Sequence, residues 1–205
     1  MKKYFMALST AALVNVAPYA LASSTDLTVT GVITPAACTP SLSNGGVVDN
    51  GKISAKDLNP TTSTMIGRHP LKLTVACDAP IQFALNPIDN RAGTGASRTW
   101  FGLGLTDAGE KLGFVVVGVS NALADGVTAQ VIDSEDNGKT WERTTVSSPG
   151  YILSTASTTD HSTPIRVKDL TMDFEVRTSI APANNLTLTD EVVMDGSVTY
   201  EMKYL

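Results

Sequence analysis

The residues best placed to do chemistry are two cysteines, Cys38 and Cys77, set 39 positions apart. In an oxidising compartment an even cysteine count points to a disulfide; the other reading is a pair of buried free thiols. A bridge over this loop would restrict the unfolded chain by about 4 kcal/mol in the chain-entropy picture. The spacing is unlike the close-set ligand pairs of a zinc site, and His69 and His161 stand alone in the sequence. No metal and no cofactor are expected.

A second constellation is Ser134, Asp136, Gly138, Thr140 and Trp141, in the order S-x-D-x-G-x-T-W. This is the Asp-box pattern of sialidases and related propellers, where it is a structural turn repeated from blade to blade. Here it occurs once, in a chain too short for such a propeller. The residues encode a strand, a tight turn made by Asp136 and Gly138, and a strand whose Trp141 packs back. Asp133, Glu135 and Asn137 before Gly138 imitate a calcium loop, but the twelfth position is Thr144 instead of a bidentate glutamate and flanking helices are missing. Asp160, His161 and Ser162 are adjacent in sequence, which does not make a triad. Neither G-x-S-x-G nor H-E-x-x-H occurs. With both cysteines bridged, no thiol nucleophile remains. An enzyme is not expected.

These residues need elements to hold them. Lys2 and Lys3 begin a basic n-region, an apolar run follows, and Ala20 and Ala22 put small residues at −3 and −1. Residues 1–22 therefore look like a secretory signal cut before Ser23. The apolar run is shorter than the roughly 20 residues that span a bilayer. No transmembrane segment is expected after cleavage. Cleavage would leave 183 residues, enough for one domain, with 13 basic and 20 acidic side chains. An acidic chain without a Lys/Arg cluster is a poor nucleic-acid partner.

After Ser23 the period is two almost throughout. Apolar residues alternate in 27–34, in 70–77 (Leu71, Leu73, Val75, Cys77), and again at Ile81, Phe83 and Leu85. They do so at Leu170, Met172, Phe174 and Val176, and at Val198, Tyr200, Met202 and Tyr204. A hairpin is expected near Asp107, Ala108 and Gly109, and another around Asp136, Asn137 and Gly138. Helical period is weak; residues 51–60 and 120–126 could form single turns. Loops are expected over 87–97, 147–163 and 181–191. Short strands with turn punctuation predict an all-β antiparallel sandwich.

The leader, the alternating segment before Gly31, the strand ending at Cys38, the second cysteine in another strand, and a terminal strand with Tyr204 next to last converge on one family. "LTVTGVITPAACTP" resembles the start of chaperone–usher pilins, the fimbrial subunits of Gram-negative bacteria, and the whole chain resembles a fimbrial-like branch described by a domain of unknown function. The resemblance implies an immunoglobulin-like sandwich that lacks its last strand. It implies residues 23–30 as an N-terminal donor extension and 31–205 as the pilin domain. A periplasmic chaperone and then the next subunit would supply the missing strand at an outer-membrane usher, so the product is a head-to-tail filament on the cell surface. Thr25, Leu27 and Val29 would be donor residues. Val198, Tyr200, Met202 and Tyr204 would border the acceptor groove, with Leu205 in the part a chaperone grips. The other readings are a monomeric secreted or periplasmic binding module with a closed sandwich, a fimbrial tip adhesin, and a secreted hydrolase related to Asp-box proteins.

Overall fold

A computed structural model describes Thr28, Thr30, Gly31 and residues 37–205. Thr25, Leu27 and Val29 lie outside the described residues. The strands, in chain order, are β1 (Cys38–Leu42), β2 (Thr64–Ile81), β3 (Phe83–Asp89), β4 (Phe101–Gly102), β5 (Gly113–Ala124), β6 (Val127–Thr128), β7 (Gln130–Ser134), β8 (Glu142–Arg143), β9 (Val146–Ser147), β10 (Ile152–Ala156), β11 (Val167–Ile180) and β12 (Val198–Tyr204). Three short 3-10 turns complete them, one at Ala55–Asp57 where a single turn was expected.

The strands form two antiparallel sheets, as the alternation predicts. One runs β1-β2-β11-β5-β4, with β6 and β9 also on β5; the other runs β12-β3-β10-β7-β8. The frame is the long β2–β11 ladder, which pairs Thr64 with Ile180 at one end and Val167 with Ile81 at the other. Its inward positions, Leu73, Val75, Leu170, Met172 and Phe174, are at most 2 % exposed. They pack against Phe83 and Leu85 of β3 and Leu153 of β10 in one continuous core. Period-two patterning allows this: alternate side chains leave each sheet on one face, and each buried Leu, Val or Phe contributes about 1.5–3 kcal/mol of transfer free energy.

Cys38 and Cys77 are paired across the β1–β2 register and joined by a disulfide. The Asp-box residues form the expected hairpin, with Asp133 opposite Glu142 and Ile132 opposite Arg143.

Three expectations are corrected. The strand expected to end at Cys38 begins there instead and runs to Leu42, and residues 32–36 lie outside the described residues. Residues 147–163 are not one loop: they contain β10, an interior strand buried at all five positions. Its sequence, Ile-Leu-Ser-Thr-Ala, does not alternate because both faces are covered, and Ser154 Oγ meets burial by donating to the Phe83 carbonyl at 2.6 Å. Residues 120–126 are not a helical turn. Residues 120–124 continue β5, with Asn121 at φ +50° interrupting its register with β11, and Asp125 and Gly126 make the tight turn into β6.

Candidate functional site

The feature that departs from a closed sandwich is the flank where β1 and β12 meet. Among the described residues each is the edge of its own sheet, β1 paired only with β2 and β12 only with β3. Among the described residues no backbone hydrogen bond joins them. In an antiparallel strand, backbone groups point alternately to either side. Leu205 N–H donates to Gln82 and the Ser197 carbonyl accepts from Asn90, both on the β3 side. The N–H groups of Val198, Tyr200, Met202 and Tyr204 therefore point the other way, along the open edge. On β1 the Ala37 carbonyl accepts from Asp78 on the β2 side. By the same alternation Cys38, Pro40 and Leu42 face the gap. Pro40 has no N–H to offer, a device that blunts an edge strand.

Side chains along this seam pack loosely over a core whose own residues stay buried. The alternate residues Val198, Tyr200, Met202 and Tyr204 are half-buried on β12, not fully covered. A cavity of about 160 Å³ opens between the sheets, lined by Leu42, Leu71, Phe174, Val176, Val198 and Tyr200. A second, of about 460 Å³, lies among Ile53, Leu58, Leu112, Ile180, Val192 and Met194. Their floors follow one line on β11 at every second residue: Phe174, Val176 and Thr178 in the first, Ile180 in the second. That line spans about 20 Å at some 3.4 Å per residue, the reach of a seven- or eight-residue extended segment.

One end of the seam is tied. Cys38 N–H donates to Tyr204 Oη at 2.9 Å. Tyr200 packs its ring on Phe174, centroids 5.1 Å apart, and its hydroxyl lies 3.2 Å from Ser147 Oγ. Burial pushes its phenol pKa upward. Leu205 is 44 % exposed and lies beside the Asp-box turn, where a Cβ on Gly138 would come 3.7 Å from its side chain.

The far wall, residues 188–194, has no strand partner among the described residues but is staked at both ends. Glu110 accepts from Thr187 N–H at 2.6 Å and Thr187 Oγ1 at 2.8 Å, and these bonds, with one from Thr106, hold its carboxyl below the usual range. Asp195 takes Arg91 Nη2 at 2.6 Å and donates its N–H to the Leu103 carbonyl. Lys52 and Glu191 form an exposed ion pair at 2.8 Å beside the larger cavity.

The other candidates stay apart. In the Asp box, Asp136 accepts from Ser134 Oγ, the Lys139 and Thr140 amides and Thr140 Oγ1, at 2.8–3.0 Å. The Thr140 bonds lead in lowering its pKa to about 2. Gly138, at φ +97°, supplies the left-handed step the turn needs. Asp160 Oδ1 accepts from Ser162, while His161 contacts Arg143, so these three side chains do not form a relay. Among the described residues no cluster of His, Cys, Asp or Glu could hold a metal ion, and no helix is long and apolar enough to cross a membrane.

Sequence reasoning missed Asn50, Gly67, His69 and Thr178, which line or adjoin the smaller cavity. A signal existed for two of them: carrying the alternation of Leu71, Leu73 and Val75 backwards puts His69 and Gly67 on the same inward face.

Residues 27–99 match the family described as "Protein of unknown function (DUF1120)". The chain is 26 % identical over 231 aligned positions to Protein GltF of Escherichia coli (strain K12), covering 89 % of each. A stretch of 68 residues is 40 % identical to the Uncharacterized protein YhcF of the same organism, covering 33 % of this chain and 28 % of that one.

Proposed function

We propose that this chain is a structural subunit of a chaperone–usher fimbrium, exported to the cell surface and polymerised by donor-strand exchange for surface attachment. The observation that carries the reading is the seam: two edge strands that do not pair, over cavities floored by core side chains. An edge that exposes both backbone donors and apolar side chains is a template for another strand.

The occupant is the N-terminal segment of a second copy or of a neighbouring subunit. Residues 23–30 alternate, with Thr25, Leu27 and Val29 on one face, and their length matches the cavity floor. Before assembly a periplasmic chaperone would lend the strand, and an outer-membrane usher would carry out the exchange. The disulfide and the leader-like first 22 residues support export through an oxidising compartment.

The test is expression of the chain without partners. Aggregation or strand-exchanged oligomers support the reading; a soluble monomer that unfolds cooperatively contradicts it. That outcome would favour a closed-sandwich binding module, a reading the Cys38–Tyr204 tie supports at one end of the seam.

A further inference from the structure

The floor of the seam changes character once along its length. Phe174, Val176, Thr178 and Ile180 follow one another at alternate positions of β11, and Thr178, 2 % exposed, is the polar one. Its Oγ1 accepts from Asn50 Nδ2 at 3.3 Å, and Asn50 Oδ1 lies 3.0 Å from His69 Nε2. Gly67 stands opposite Thr178 in the β2–β11 register and leaves the necessary space: a Cβ there would fall 1.9 Å from Asn50 Oδ1. Three segments distant in sequence thus converge on a polar node inside an apolar groove.

The node's hydrogen-bonding capacity is only partly used. Asn50 Nδ2 carries two hydrogens and donates one to Thr178; the Thr178 hydroxyl hydrogen finds no acceptor among the described residues. An apolar side chain pressed over the node would strip water from the half-buried Asn50 amide and leave its second hydrogen unmatched beside the buried Thr178 hydroxyl, which is costly. A hydroxyl or side-chain amide would match them.

We infer that the Asn50–Thr178 node sets the sequence of the strand this groove accepts: a hydroxyl- or amide-bearing residue at one inward position, as Thr25 would supply, next to apolar residues such as Leu27 and Val29. The inference rests on the strand-acceptor reading above. It gives the groove selectivity, because a uniformly apolar strand would fit the floor on either side of the node and be penalised at it.

Threonine and valine have nearly the same shape, so the exchange of one for the other isolates the hydroxyl. The experiment measures binding of the full chain to synthetic peptides of residues 23–34, carrying Thr or Val in turn at positions 25, 27, 29, 31 and 33. At one of these positions Thr is expected to bind about tenfold more tightly than Val, the size of one well-matched buried hydrogen bond. Asn50→Leu should abolish or reverse that preference and leave the other positions unchanged. If Asn50→Leu fails to fold, Thr178→Val, which keeps the shape, gives the same readout. Val binding as well as Thr at every position would overturn the inference and leave the strand-acceptor reading standing. If no peptide binds, that reading falls and the node's role falls with it.

Discussion

Cys38 donates its backbone N–H to the phenolic oxygen of Tyr204 at 2.9 Å, across 166 residues of sequence. The bond ties the first described strand to the last, at the end of the seam where Cys38 is also bridged to Cys77. From Leu42 and Tyr200 onwards the same two strands part over the first cavity. Among the described residues the flank is therefore pinned at one end and unpaired along the rest.

Tyr204→Phe should loosen the pin alone. It removes the acceptor and returns the Cys38 N–H to water, so the expected cost is about 1 kcal/mol. Urea unfolding should show a lower midpoint with an unchanged slope.

Replacing both cysteines by serine should cost more, about 2–4 kcal/mol, because the unfolded chain regains the freedom of a 39-residue loop. Reducing agent should lower the melting temperature of the native chain and leave the double variant unaffected.

Asp136 makes stability acid-sensitive. Its pKa is about 2 in the folded chain against an ordinary 3.8, so the folded state binds its proton less readily than the unfolded state. Its contribution is complete above about pH 4 and is lost as pH falls from there towards 2. Asp136→Asn should flatten this limb in stability measured against pH, and should free Thr140 and the turn next to Leu205.

Glu110 should act likewise on the wall of the larger cavity. Its carboxyl is held below 4.5, first by the Thr187 amide, so its stabilising effect is present above that value and fades as pH falls through the folded pKa. Glu110→Gln should speed amide exchange across residues 188–194 at neutral pH while the β2–β11 ladder stays protected.

Much of the fold was legible in the sequence because half-buried strands alternate. Leu71, Leu73 and Val75, and Leu170, Met172 and Phe174, announced the central ladder in this way. β10 was not legible, since burial of both faces erases the alternation and Ser154 conceals its burial by a hydrogen bond to Phe83. The candidate site divides along the same line. Val198, Tyr200, Met202 and Tyr204 could be placed on one face by period alone. The polar node could not, because Asn50, His69 and Thr178 meet only when three separate segments pack together.

The most direct measurement is amide hydrogen exchange along β12, residue by residue, in the free chain and with excess peptide of residues 23–34. An open edge predicts fast exchange at Val198, Tyr200 and Met202 and protection at Thr199, Glu201 and Lys203, which face β3. Adding peptide should slow the first set by about tenfold or more, as for backbone groups newly paired in a ladder, and a peptide carrying Leu27→Asp should not. Protection of Val198, Tyr200 and Met202 in a monomeric, peptide-free chain, or no change on adding peptide, would contradict the account.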